Sequence, residues 1–546
     1  MAELSFVRAN LVDLFARDVF PATITLEGGR IASIARDAGP APATFVLPGF
    51  VDAHVHVESS ILPPAEVARL VLPHGTVAMV ADPHEIANVL GEEGVAFMLA
   101  SAAASPLRFR FGAPSCVPAT PFETAGASLD AARVAHLLDD PAIGFLSEVM
   151  NWPGVLAADP EVLAKIAAAR ARGKRVDGHA PALRGDRARR YAAAGIETDH
   201  ECTDLGEAEE KIAAGMKIAL REGSAAKNLE ALLPLIDRHP DACFFCTDDC
   251  HPDDLLSGHI DVLARRAIAA GCDPMNVLAA ACKNPVLHYG LDVGLLRPGD
   301  RADFIEVDGL STLRILRTVI GGRIVAEAGR TALPHVPCAT PNRFDAAPIG
   351  AESLRVPATG SKVRVIEARD RQLFTGESVV DAPVEEGNLA ADPANDILKL
   401  AVVSRYEKAP PAVALIRGFG LKRGAIASSV AHDSHNVVAC GTNDVDLADA
   451  VNAVIARRGG LSVAAAGEVD VLPLPIAGLM SDAEGPAVAA EYARLTAAAR
   501  ALGSPLGSPF MTLAFMALLV IPKLKLSDRG LFCGEELRFV PLFVER

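Results

Sequence analysis

From Val46 to about Asn284 the chain repeats one pattern, a short apolar run followed by a longer alanine-rich stretch of helical period. Thr76–Val80 precedes Glu85–Ser101, Gly144–Val149 precedes Glu161–Arg172, and Cys243–Thr247 precedes Ile260–Ala270. Apolar strands that alternate with helices imply parallel strands covered by helices, and roughly 250 residues of that alternation is the size of a TIM-type (β/α)8 barrel. The expected fold class is therefore α/β. In such a barrel all strand C-termini converge on one face, so polar residues far apart in sequence become neighbours there.

The flanks read differently. Ala22-Thr23-Ile24-Thr25-Leu26 alternates, Glu27-Gly28-Gly29-Arg30 turns, and Ile31–Ile34 returns, which is the grammar of a hairpin. After Pro298 come strand-like Asp303–Val307 and Arg317–Val325, whose turn Gly321-Gly322-Arg323 echoes the first. Residues 1–47 and 297–345 are thus expected to form one composite β-sandwich domain around a barrel of residues 48–296. Residues 346–546 form an additional C-terminal α/β unit of the α+β kind, with strands near Leu398–Ser404, Ala412–Arg417 and Val437–Cys440 and helices near Leu447–Arg458 and Glu484–Ala501. The length, 546 residues, exceeds what one core serves.

A formal charge of -16 argues against a nucleic-acid partner, which demands clustered cations. A small neutral or cationic substrate meets no such barrier. Mean hydropathy is positive, +0.27, yet no apolar stretch approaches the ~20 residues of a spanning helix. The longest, Phe510–Ile521, stops at Pro522-Lys523 and is either core or the interface of an expected homo-oligomer. No secretory leader is evident, so no membrane association and a cytoplasmic location are expected. The ten cysteines form no evenly spaced framework and are expected as thiols; the close group Cys243, Cys246 and Cys250 begins in an apolar run that reads as a buried strand.

The strongest local signal is Leu47-Pro48-Gly49-Phe50-Val51-Asp52-Ala53-His54-Val55-His56. Side chains two apart on a strand share a face, so His54 and His56 can aim at one ion while Val55 faces away. Neutral imidazoles suit Zn, Fe or Mn. Further candidates stand where later strands end: Glu148, His179, His200 and Asp248. Each alone is an ordinary polar residue at a strand's end, but a barrel makes one constellation of them.

Pro48–His56 resembles the first-strand motif of the amidohydrolase superfamily, and Asn284-Pro285-Val286-Leu287-His288-Tyr289-Gly290-Leu291 is similar to its closing motif. Ala81-Asp82-Pro83-His84-Glu85-Ile86-Ala87-Asn88-Val89, Cys246-Thr247-Asp248-Asp249-Cys250-His251-Pro252-Asp253-Asp254-Leu255 and Val430-Ala431-His432-Asp433-Ser434-His435-Asn436 resemble adenine deaminases over nearly the whole chain. The resemblance implies two divalent metal ions per subunit, Mn or Fe favoured and Zn possible. It makes His54 and His56 ligands of one, His179 and His200 ligands of the other, and Glu148 the bridge that a carbamylated lysine supplies in many relatives. Asp248 matches the last-strand aspartate that contacts metal and attacking water, with Asp249 a rival shifted by one position.

The activity implied is hydrolytic deamination of adenine to hypoxanthine and ammonia by a metal-activated hydroxide. Asp248 would accept the water proton and Glu85 would deliver protons to the purine, with Asp82 and His84 supporting it. Asp82 to Glu85 also suits a helix start, and the two roles are compatible. His251 and Asp253 either reach substrate or cap the following helix, and His432, Asp433 and His435 are expected to help close the site over the substrate. Two alternatives stand: another ring hydrolase of the superfamily, such as a different aminopurine deaminase or a cyclic amidohydrolase, and a catalytically inactive scaffold. A cyclic amidohydrolase for acidic substrates would present a cationic clamp, and the motif loops hold no obvious arginine.

Overall fold

The computed structural model describes residues 1–544. Eight parallel strands follow one another around a closed barrel: Phe50–Val55, Thr76–Ala81, Arg108–Ala113, Ile143–Val149, Arg175–Gly178, Thr198–Asp199, Lys217–Arg221 and Cys243–Cys246. They pair in sequence order as an arc of five and an arc of three. Two seams join the arcs. At one, the Glu197 amide donates to the Val176 carbonyl at 2.9 Å; at the other, Asp248 donates to the His54 carbonyl at 3.0 Å and accepts from the His56 amide at 3.1 Å. Inside, Ala53, Val80, Phe145, Ala219, Phe244 and Cys246 pack with Tyr289.

The covering helices obey the expected period. Helix Ile260–Ala269 buries Ile260, Leu263, Ala264 and Ala267 against Ile218, Leu220, Cys243 and Phe245 of two strands. Spacings of three and four keep those residues on one stripe, and each large side chain so buried contributes about 1.5–3 kcal/mol. One expected helix is in fact two. The stretch 85–101 is split into His84–Leu90 and Glu92–Ala103 at Gly91, whose φ of +64° and ψ of -138° a residue with a Cβ rarely adopts.

Both flanks of the barrel enter a single eight-stranded sheet. Its central neighbours are Phe45–Pro48, through which the chain enters the barrel, and Phe304–Val307, by which it returns, paired antiparallel from Phe45↔Val307 to Pro48↔Phe304. The two glycine turns meet: a Cβ on Gly29 would come within 2.9 Å of the Gly321 carbonyl oxygen. The echo between the flanks is thus a contact between turns.

The C-terminal residues build a second eight-stranded sheet, with Leu398–Val403 flanked by Ala412–Arg417 and Val437–Gly441 near its middle. Helix Asp444–Ala456 packs on it, and helix Gly485–Ala501 packs against Pro252–Ser257 of the barrel. A small sheet of Leu524–Ser527, Gly530–Cys533 and Arg538–Phe539 follows. Phe510, Leu513, Phe515, Met516 and Ile521 are all buried, so the apolar segment 510–521 is core within this chain.

Candidate active site

The six candidate ligands gather at the C-terminal rim, and all are buried. His54 is the last but one residue of the first strand and His56 follows the strand; their Nε2 atoms are 3.3 Å apart. Asp248 Oδ1 lies 3.1 Å from His56 Nε2 and 3.5 Å from His54 Nε2. Glu148 reaches both groups, with Oε1 3.4 Å from His56 Nε2 and Oε2 2.9 Å from His179 Nδ1 and 3.1 Å from His200 Nε2. Pairing shifts register between Asp52 and Val55 and again between Leu146 and Val149, so both strands carry an irregularity where the donors sit. Such bulges re-aim side chains beside functional sites. Imidazole nitrogens that face one another with carboxylate oxygens between them, all cut off from water, have the chemistry to hold divalent cations of the Zn, Fe or Mn kind.

Asp248 and Asp249 are told apart by their partners. Asp248 takes a left-handed conformation, φ +57°, and its Oδ2 accepts from Arg221 Nη1 at 2.8 Å. Burial pushes its carboxyl up, but Arg221 and the histidines outweigh that and hold it well below the usual carboxylate range. Asp249 points instead to the Ser59 hydroxyl, and burial together with the charge of Asp248 pushes its carboxyl up. Arg221 also forks onto Glu201, whose Oε1 lies 3.5 Å from His200 Nε2. Neither Arg221 nor Glu201 was among the sequence candidates. The apolar run Ile218-Ala219-Leu220 ending at Arg221 was the available signal.

Across the cavity, Asp82 and His84 follow the second strand. Asp82 Oδ1 accepts from the His84 amide at 3.1 Å, a helix-start contact, while Oδ2 lies 3.1 Å from His84 Nδ1. Asp82 thus meets both the start of the helix and the His84 ring. His84 Nε2 is 3.4 Å from Glu85 Oε1 and 3.7 Å from Asp433 Oδ1, and neither ring nitrogen has a well-aligned hydrogen bond. Glu85 is gripped by the C-terminal unit: His432 Nδ1 bonds Oε1, and His435 Nε2 lies 2.5 Å from Oε2. Burial pushes the Glu85 carboxyl up, yet His432, His84 and His435 hold it well below its ordinary value. Burial lowers the His432 imidazole, but Glu85 and Asp249 override it and raise it to about 9.

Between these groups lies a cavity of about 30 Å³ whose roof is apolar, formed by Leu373, Phe515, Leu518 and Val520 of the C-terminal unit. His251 faces an adjoining cavity that shares His432 as its wall, and burial keeps its imidazole neutral, down to about 4. Its Nδ1 pairs with the Ser59 carbonyl and its ring packs on Tyr492, at a centroid distance of 4.4 Å. Asp253 lies half-buried in the first turn of helix Pro252–Ser257, beside Asp254 and Arg500, and is not among the residues that line either cavity.

A closed barrel with histidines and carboxylates drawn from its strand ends is the architecture of a metal-dependent hydrolase. Residues 45–325 match the amidohydrolase family, and residues 372–537 match the adenine deaminase C-terminal domain. Similar along their whole length are the adenine deaminases of Salinibacter ruber, 59% identical over 99% of both chains, and Sulfurovum sp., 54% identical over 98% of this chain and 99% of that one. That of Methanosarcina mazei is 50% identical over 98% and 99%. The chain belongs to the amidohydrolase family and, within it, to the adenine deaminases.

Proposed function

We infer that the protein hydrolyses adenine to hypoxanthine and ammonia. The observation that carries this reading is a complete donor set facing, across one small cavity, a carboxylate gripped by two histidines. His54, His56, Glu148, His179, His200 and Asp248 would hold two divalent cations, Mn or Fe in this proposal. When bound, such cations lower the pKa of water to about 7 and so supply a nucleophile at neutral pH.

The remaining steps belong to the chain. Asp248, kept ionised by Arg221, accepts the proton of the attacking water. The proton shared by Glu85 and His432 goes to the purine ring nitrogen, and the water proton taken by Asp248 goes to the departing amine, each transfer contributing typically 10²–10⁴-fold. Asp82 and His84 hold that pair against the rim. Asp433, His435 and the apolar roof close over the flat base, and water attack at the amine-bearing carbon with loss of ammonia balances the reaction.

Among the described residues, the guanidinium nearest the donors, Arg221, is engaged by Asp248 and Glu201, which disfavours a clamp for acidic cyclic amides. No helix among the described residues is long and apolar enough to cross a membrane. Assembly into a homo-oligomer and a cytoplasmic location form part of the same proposal. Ammonia release from adenine, with adenosine and cytosine as controls and metal analysis alongside, tests it. Protein reconstituted with Mn or Fe that releases none from adenine refutes it.

A further inference from the structure

Lys525 has no solvent exposure, and burial alone governs its amine. It lies on strand Leu524–Ser527, opposite Phe532 of the neighbouring strand. Its Nζ donates to the carbonyls of Leu373 and Phe515, both at 2.8 Å. Those are the residues that bring two distant segments together in the roof of the cavity. The Phe515 ring in turn stacks on His432, centroids 5.0 Å apart and planes 29° from parallel, and His432 holds Glu85. A line of contacts therefore runs from Lys525 to the proton-bearing pair.

The count of donors decides the state of this amine. A neutral amine has two N–H groups for the two carbonyls, whereas an ammonium carries a third. Among the described residues no acceptor meets that third donor. Among the described residues no charged side chain acts on it from strand Gly530–Cys533, from the Leu373 segment, from helix Pro509–Ala514 or from any other element packed around it. Burial without a counter-charge pushes the amine down to about 7.

We propose that Lys525 is a positioning residue that clamps the two segments of the roof in its neutral form and so sets the height of the slot for the flat base. The slot's role rests on the deamination reading above; the clamp itself does not. Lys525→Met keeps an unbranched apolar stem as far as Cε and removes both donors. At pH 8 its KM for adenine is expected to rise about tenfold, with kcat changed less than about threefold and metal content unaltered. Amide hydrogen exchange is expected to quicken in both segments, 371–375 and 512–519. As pH falls from 8 to 6 the wild-type advantage in KM should vanish, because the third N–H then enters the roof.

Exchange reads the roof whatever the substrate. A protein inert toward adenine whose exchange still quickens in K525M sinks the deamination reading and leaves the clamp standing. Unchanged exchange in both segments overturns the clamp, whatever KM does. If K525M does not fold, wild-type exchange corrected for intrinsic rate decides between pH 8 and 6. Protection that weakens toward pH 6 in the two segments upholds the clamp, and flat protection overturns it.

Discussion

His435 Nε2 and Glu85 Oε2 meet at 2.5 Å although 350 positions separate them in the chain. The contact carries the C-terminal unit into the barrel's rim and gives Glu85 a fixed orientation from outside its own domain. Glu85→Gln keeps the shape and loses the proton carrier. Its kcat for adenine should fall on the order of 10²–10⁴-fold while two ions per chain are retained, as turnover assays with metal analysis will show.

His432 bonds Glu85 and stacks on Phe515. His432→Asn should lower kcat about 10–100-fold with a smaller change in KM, since the acid is weakened more than the slot is deformed. Equal losses in kcat/KM through KM alone would instead make His432 a binding group.

Glu148 faces both histidine pairs. Glu148→Gln halves its bridging capacity by replacing one oxygen with an amide donor. Metal analysis after gel filtration should find both ions depleted, not one. Chelation of the wild type should lower its thermal midpoint, because ions that bind only the folded state stabilise it.

Arg221 sits between Asp248 and Glu201 with all three side chains buried. Arg221→Met leaves two carboxylates uncompensated, and breaking a buried pair in this way costs about 3–5 kcal/mol. Urea denaturation should show that loss. The double variant R221M/E201Q should recover part of it, because one of the stranded charges is then gone.

His288 lies at the other end of the barrel, buried, its Nε2 without a partner. Burial, then Arg175 and Lys217, push its imidazole down to about 3. The folded state therefore holds fewer protons than the unfolded chain between pH 6.5 and 3, and stability drains away as pH falls through that window. At pH 5 the loss from this residue is about 2 kcal/mol relative to pH 7.5. Denaturation of His288→Gln at both values should lack that increment; identical pH dependence in the two proteins would contradict it.

What the sequence makes legible follows from how local each signal is. The alternation of apolar runs and helices is read within tens of residues, so the barrel and the rim positions of His54, His56, Glu148, His179, His200 and Asp248 were visible. Arg221 was not, because a charged residue after an apolar run looks like a solvated strand end, and its partners stand 20 and 27 positions away. The break at Gly91 was hidden because a single glycine is tolerated inside a helical pattern, and only its φ and ψ reveal the turn. The grip of His432 and His435 on Glu85 depends on how two separate units dock, which no local period encodes. Two placements stayed open for Asp253, because proximity in sequence to Asp248 says nothing about which way the next helix points.

Asp248 stitches the eighth strand to the first through its main chain while its carboxylate faces the imidazoles. The residue that closes the cylinder is thus also one that presents a carboxylate to the imidazoles, and the main chain that carries this carboxylate is held from both sides by the first strand. The apolar roof comes from a different unit of the chain, so it can vary without touching that seam.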